Sequence, residues 1–201
     1  MTFQEPDGAT PLDPDERQGL KYNHITTRGE LDELEQANIE QGLAWAAKRR
    51  SRDVFDDGFI RRLHKKLFGD VWTWAGTYRQ TEKNIGIDPL QIPEQLRMLL
   101  GNARYWAENN VYSPLEAAAR FHHKMVQIHP FPNGNGRHAR IAADLMLEEV
   151  YEHPRVAWAS GFDLQADNER RQAYLAALRA ADREDFAPLL AFVGAVEPAK
   201  T

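Results

Sequence analysis

Apolar residues recur at helical spacing through most of the chain, and the clearest pair of segments flanks residues 129–136. In SPLEAAARFHHKMVQIHPF, residues 113–131, Ala117, Phe121, Met125 and Ile128 fall on one helical face. Ser113 is placed to be the N-cap, Pro114 the first helical residue and Glu116 the partner that closes a capping box. Pro130 forces the exit. In GRHARIAADLMLEEVY, residues 136–151, Ile141, Leu145 and Tyr151 form a stripe broadened by Ala142 and Met146, which predicts a second buried helix. The stretch between them, with Pro130, Pro132, Asn133, Gly134, Asn135 and Gly136, is a loop.

The other patterns are also helical. Thr27 and Glu30 form a capping box for a helix reaching Arg50, with Leu31, Leu34, Ile39 and Leu43 as its apolar face. The run Lys48-Arg49-Arg50-Ser51-Arg52 is its exposed end, where cations suit the dipole. Asp53 is expected to cap a helix that stops near Gly69, with Arg61, Arg62, Lys65 and Lys66 on the wet side. Pro93 opens a helix whose Leu96, Leu99, Leu100, Ala103 and Trp106 cluster on one side. Asp167 and Asp185 are expected caps of two last helices, with Tyr174, Leu175, Leu178, Leu189 and Phe192 in the core. One segment changes character: Trp72 and Trp74 read as core, and residues 77–87 are β-prone around Glu82-Lys83-Asn84, which predicts a short hairpin. Residues 1–22, with Pro6, Gly8, Pro11 and Pro14, read as an irregular arm, 23–196 as a single domain, and 197–201 as a loose tail.

At 201 residues the chain can bury one substantial core. A net charge of −5 gives no global basic field, so direct nucleic-acid binding is not expected. No apolar run approaches membrane length, and the first residues lack a basic-then-apolar leader, so neither a membrane nor secretion is expected. The absence of cysteine excludes disulfides and thiolate metal sites and fits a cytoplasmic location.

The loop carries the candidate chemistry. Gly134 and Gly136 allow backbone N–H groups to curl around an anion at a helix start, where the dipole favours phosphate. Arg137 and Arg140, three residues apart, add two guanidiniums on one side, and His129 is a proton acceptor near neutral pH. By composition alone a second reading stands beside this one: a Gly/Asn-rich turn between helices, with His129 as a cap. His122 and His123 are adjacent and cannot face one ligand on a helix, and no HExxH pattern occurs, so zinc is not expected. His64 and His153 read as ordinary surface or boundary residues.

The stretch from His129 to Arg140 resembles the Fic (Fic/Doc) family signature H-x-F-x-[DE]-G-N-G-R-x-x-R, with every specified residue but one. The resemblance extends from about Leu63 to Phe192, and the chain is most similar to the short bacterial members called mobile mystery protein B. The resemblance implies a Fic-type helical bundle with a small β-hairpin flap. It implies an adenylyltransferase that moves AMP from ATP to a Tyr, Thr or Ser hydroxyl of a target protein, with His129 as general base. Phe131 would anchor the loop, Gly134, Asn135 and Gly136 would form the anion hole, Arg137 would grip the outer phosphates, and Arg140 would take the γ-phosphate or an inhibitory Glu. The flap residues Thr81, Glu82, Lys83, Asn84, Ile85 and Gly86 would pair with the target backbone and position its hydroxyl; a surface hairpin without a role is the alternative.

One position departs: Asn133 stands where the family has the acid that holds Mg²⁺. An amide oxygen can ligate a hard cation, but without the charge that draws Mg²⁺ to carboxylates. Mg²⁺ or Mn²⁺ would then be bound mainly through the nucleotide, and three outcomes follow: slow adenylylation, transfer of another phosphate-linked group, or nucleotide binding without catalysis. The family's inhibitory pattern [ST]-x-x-x-E-[GN] fails at Leu31 after Thr26 and Glu30, leaving Glu35 as a looser candidate to reach Arg140. The resemblance also implies a partner, either a small antitoxin or a helix-turn-helix protein.

Overall fold

The computed structural model describes residues 13–48, 53–161 and 164–195, so the start of the expected arm, most of the basic run after Lys48 and the tail lie outside the described residues. The helices are α1 (Pro14–Arg17), α2 (Arg28–Lys48), α3 (Asp57–Phe68), α4 (Ile92–Glu108), α5 (Pro114–Ile128), α6 (Asn135–Val150), α7 (Glu169–Ala181) and α8 (Ala187–Val193), with a 3₁₀ turn at Pro89–Gln91. This is the mostly α fold that the periodicity predicts. None of the described helices is long and apolar enough to cross a membrane.

The centre is α5, which packs on α4, α6 and α8, while α6 also meets α3 and α3 carries α2. Ala117, Ala118 and Ala119 are fully buried on α5, and their small side chains let neighbouring helices approach closely before Phe121, Met125 and Ile128 fill the space beyond. Ser113 caps α5 through a bond from the Glu116 N–H, whereas the Glu116 side chain pairs with Arg120 one turn on. The box at α2 forms in full: Glu30 accepts from the Thr27 N–H at 2.9 Å, and Thr27 Oγ1 accepts from the Glu30 N–H at 3.3 Å.

Three helix starts differ from the sequence expectation. Asp53 Oδ1 takes the Phe55 N–H in a preceding turn, so Asp56 becomes the cap of α3, accepting from the Phe59 N–H at 2.8 Å. Asp167 receives the Gln172 side chain, and Asn168 caps α7. Asp185 takes the Ala187 N–H, one residue before the Phe186 cap position of α8. The buried face of α2 is also more polar than predicted. Leu31 and Ile39 point inward, but Leu34 and Leu43 are half-buried, and Glu35 and Asn38 share the inner face. Asn38 binds the Lys66 carbonyl at 3.1 Å and the Asp70 N–H at 2.9 Å, tying α2 to the end of α3.

Residues 77–87 form an ordered loop, and no strand occurs among the described residues; the one bridge joins Leu20 to Trp72. The reason is Arg79. Its guanidinium donates to the carbonyls of Thr81 and Ile87 on the two sides of the loop, occupying the interior where a cross-strand ladder would run.

His64 is fully buried, contrary to its reading as a surface or boundary residue, because it continues the Ile60–Leu63–Leu67 face of α3. Its ring stacks on Phe131 with centroids 3.8 Å apart, and His138 Nε2 on α6 donates to the Ile60 carbonyl at 3.0 Å, joining α6 to α3. His122 meets the Tyr174 hydroxyl at 2.9 Å. Burial holds the pKa of His64 well below its ordinary value, that of His138 at about 4, and, with the Arg140 charge adding to burial, that of His122 at about 3. The unfolded chain takes up protons as pH falls through about 6.5, and the native chain does not until its own lower values, so stability present above that pH is lost below it. Asp144, pushed up to about 6 by burial, opposes this with a single proton. Urea melts between pH 7 and 5 are expected to show a net loss, each histidine contributing on the order of 1.4 kcal/mol per pH unit. A flat or rising curve would mean that these imidazoles are charged in the fold.

Candidate functional site

The junction of α5 and α6 is built from two residues in the left-handed region. His129, the C-cap of α5, has φ 53° and ψ 60°, and Gly134, the N-cap of α6, has φ 76°. For a non-glycine residue that conformation costs about 1–2 kcal/mol, so surrounding contacts must enforce it. The enforcing contacts are the Arg79 N–H to the Pro130 carbonyl at 3.0 Å and Arg79 Nε to the His129 carbonyl at 2.7 Å. At Gly134 a Cβ would lie 2.7 Å from the Phe68 ring, so glycine is required there by packing as well as by φ.

Asn135 closes the turn. Its Oδ1 accepts from the Phe131 N–H at 2.9 Å and its Nδ2 donates to the Phe131 carbonyl at 2.7 Å. The side chain is therefore used within the loop, and what Asn135 offers outward is its place in the first turn of α6, whose N–H groups have no intrahelical acceptor. Phe131 is fully buried against His64, as an anchor should be.

Asn133 is held at both ends. Its carbonyl lies 3.0 Å from His64 Nε2, and His64 Nδ1 accepts the Gly76 N–H at 3.1 Å, which places the ring hydrogen on Nε2. Its own Oδ1 accepts from the Gly134 N–H at 2.6 Å. That oxygen is turned into the loop, and no group of three metal-ligating side chains occurs among the described residues, so the chain's own donors do not fit a resident Mg²⁺ site.

The two arginines part company. Arg137 lies over the Phe68 ring, 4.9 Å to the centroid, and its Nη1 is 2.7 Å from Glu35 Oε2. Among the described residues Glu35 Oε2 takes no aligned hydrogen bond, so that pair is an ionic contact, while Oε1 accepts from Trp72 Nε1 at 2.6 Å. Arg140 lies over Tyr174 of α7, 5.5 Å to the centroid. Glu35 thus meets Arg137 rather than Arg140: α2 packs on α3, whose Phe68 lies under Arg137, whereas Arg140 lies over Tyr174 of α7.

These groups open onto one cavity of about 690 Å³, bounded by residues 85–87, the loop 133–137, Arg140, and the inward faces of α5 and α7. His129 lies on its wall, 4% exposed. Burial first, and then the Arg79 charge, hold its pKa at about 3, so the imidazole is neutral at physiological pH. Of the expected flap residues, Thr81, Glu82, Asn84, Ile85 and Gly86 are exposed, whereas the Lys83 side chain turns back to pair with Asp13, 2.8 Å away, and with Glu16. Residues 13–21 thereby cover the inner side of the flap, assisted by Trp74 Nε1 donating to the Glu16 carbonyl at 2.9 Å.

Two residues of this site escaped the sequence reading. His64 left a signal, its register on the apolar face of α3. Arg79 left none, because its partners are carbonyls up to 50 positions away.

Residues 54–147 match the Fic/DOC family model. The chain is 28% identical over 138 residues to the protein adenylyltransferase Fic of Drosophila grimshawi, covering 67% of this chain and 27% of that protein. The chain spans about a quarter of the length of the curated relatives it matches. Its fold is similar to the N-terminal FIC domain of the Bep8 effector of Bartonella sp. 1-1C, with a TM-score of 0.69, 16% identity, and 90% of each chain covered. It is also similar to the BepC effector of Bartonella tribocorum with bound AMPPNP, with a TM-score of 0.66, 20% identity, and 94% of this chain and 100% of that chain covered. The chain carries a Fic/DOC family domain at residues 54–147.

Proposed function

We propose that this protein transfers AMP from ATP to a hydroxyl side chain of a target protein. The observation that carries the reading is the meeting, in one cavity, of a neutral imidazole, a helix N-terminus and two guanidiniums. The names of the curated relatives, protein adenylyltransferases, support it.

The phosphates of ATP would lie at the start of α6, where the first N–H groups and the helix dipole favour negative charge. Arg137 and Arg140 would hold the outer phosphates from two sides, Arg137 on leaving Glu35. A polypeptide lying along residues 81–86 would bring its Tyr, Thr or Ser hydroxyl to His129. The imidazole lone pair takes the hydroxyl proton, the oxygen bonds to the α-phosphorus, and the bond from that phosphorus to the bridging oxygen breaks. Pyrophosphate leaves with the electron pair, and the arginines and helix N–H groups stabilise its charge. The negative charge of bound phosphates also raises the pKa of His129 above its value in the free protein, strengthening the base where it is needed. A divalent cation would arrive as the metal–ATP complex, which is substrate, with Asn133 as a weak outer support.

Asn133 favours a second reading, a module that holds nucleotide and turns it over slowly. Membership of the group called mobile mystery protein B, and with it a helix-turn-helix or antitoxin partner in the cytoplasm, belongs to the same proposal and rests on the motif.

Three outcomes are expected. With α-³²P-ATP and a bacterial lysate, label enters a protein band, and His129→Ala lowers the rate by about 10²–10⁴-fold while ATP binding by calorimetry is retained. Label from γ-³²P-ATP in that band instead would identify phosphoryl transfer. Asn133→Asp restores a carboxylate and is expected to raise turnover about tenfold at limiting Mg²⁺; an unchanged rate would show that the metal is not limiting. Glu35→Gln keeps an acceptor for Trp72 but removes the charge opposing the phosphates at Arg137, and is expected to tighten ATP binding by roughly tenfold, the change that about 1.4 kcal/mol produces. Unchanged affinity would make Glu35 a packing residue with no inhibitory role.

A further inference from the structure

With His129 taken as the proton acceptor proposed above, the contacts of Arg79 bear on how a docked polypeptide reaches that base. Arg79 is 1% exposed, and among the described residues it forms no ion pair with a carboxylate. Its guanidinium is satisfied entirely by backbone carbonyls. Nη1 donates to Thr81 at 2.8 Å and Nη2 to Ile87, at the two ends of the exposed loop. On its other side Nε donates to His129 at 2.7 Å and Nη2 reaches Ile128 at 3.4 Å. Its own N–H crosses the same seam to Pro130 at 3.0 Å.

A buried cation costs free energy unless its nitrogens are bonded, and here Nε, Nη1 and Nη2 all donate, so its geometry is determined by four carbonyls from two separate segments. The planar fork matters: an ammonium in its place could not span both ends of the loop and the His129 carbonyl at once. The seam is closed from the other side by Gly86, with φ 106°, where a Cβ would stand 2.7 Å from both Arg79 Nη2 and His129 Cβ. The backbone of the exposed loop therefore rests directly on the base. The loop is not held by its own hydrogen-bond ladder, so its shape depends on this guanidinium, as does the left-handed conformation of His129.

We propose that Arg79 is a positioning residue that makes the loop 81–86 and the seat of His129 one mechanical unit, so that a polypeptide docking on the loop sets the orientation of the base. The alternative, an arginine that only supports the fold, predicts a loss spread through the core.

The test compares the full chain with Arg79→Lys, which keeps the charge but loses the planar fork, and with Gly86→Ala, which disturbs the loop without touching the guanidinium. Amide hydrogen exchange is read at Arg79, His129 and Phe131, with Leu63 and Met146 as core controls. Initial labelling rates from α-³²P-ATP and calorimetric ATP affinity are measured alongside. The expected result is exchange at the three seam amides roughly tenfold faster in both variants, with the core controls unchanged. The labelling rate is expected to fall about 100-fold, the scale of an ångström-level misplacement, with ATP affinity within about threefold. If Gly86→Ala leaves the His129 amide at its original rate, loop and base are not coupled and the proposal fails. If the core controls accelerate together with the seam in Arg79→Lys, Arg79 is a fold residue and the proposal fails too. A loss of ATP affinity of about tenfold or more would place its role under the phosphate loop and equally overturn it. Should no protein take up label at all, the exchange rates still decide the coupling, so failure of the transfer reading is separate from failure of this one.

Discussion

The structure turns on the clamp that Asn135 places on the backbone of Phe131, an acceptor and a donor from one amide at 2.9 and 2.7 Å. Two buried helices must exchange direction between Ile128 and Asn135, and a chain reversal that short leaves backbone groups inside the protein without helix or sheet partners. Asn135 supplies two of those partners. Its clamp presses Phe131 against His64, and His64 in turn holds the Asn133 carbonyl. On either side of Phe131, His129 and Gly134 take left-handed conformations, the first held by Arg79 and the second by its packing on Phe68. The cavity follows from this turn, because the N-terminus of α6 and the imidazole of His129 come to face the same space.

Charge in the interior is managed by two different devices. Imidazoles are kept neutral by burial, and each uses a ring nitrogen to join elements: His64 joins α3 to the loop, His138 joins α6 to α3, and His122 joins α5 to α7. Cations that cannot be neutralised are matched instead. Arg79 is met by carbonyls, and Arg137 by Glu35. The difference bears on function. Carbonyl partners are fixed by the backbone and hold Arg79 in place, whereas Arg137 is met by one carboxylate, the group with which an anion would compete.

The helices and the motif loop were legible because periodicity, caps and glycines are local signals. Ser113, Pro114 and Glu116 mark the start of α5 without reference to anything else in the chain, and the loop residues from His129 to Arg140 are contiguous. What failed was decided at a distance. The cap moved from Asp53 to Asp56 because a preceding turn consumed the first aspartate, a competition between two adequate caps that propensity cannot rank. The hairpin was expected from β-prone residues, but Arg79 filled the loop interior through bonds to residues 128 and 129. The polar inner face of α2 was unreadable for the same reason: Glu35 and Asn38 are inside only because Trp72, Arg137 and Asp70 are there to meet them.

Helical geometry explains the last feature of the site, the divergence of two arginines expected to act side by side. Residues three apart on a helix are about 60° apart around its axis, close enough to neighbour one another and far enough to meet different walls. On α6 that angle is resolved by aromatic rings, Phe68 of α3 under Arg137 and Tyr174 of α7 under Arg140. Each guanidinium lies over its own ring, so the two cations flank the start of α6 on its α3 and α7 sides. Arg140 has no carboxylate ion partner among the described residues, while Arg137 faces Glu35. The two flanks are therefore unequal before any anion binds, and the α7 side offers its charge without displacing a rival. For the proposed polyphosphate, that asymmetry would put Arg140 within reach first, since binding at Arg137 would have to compete with Glu35.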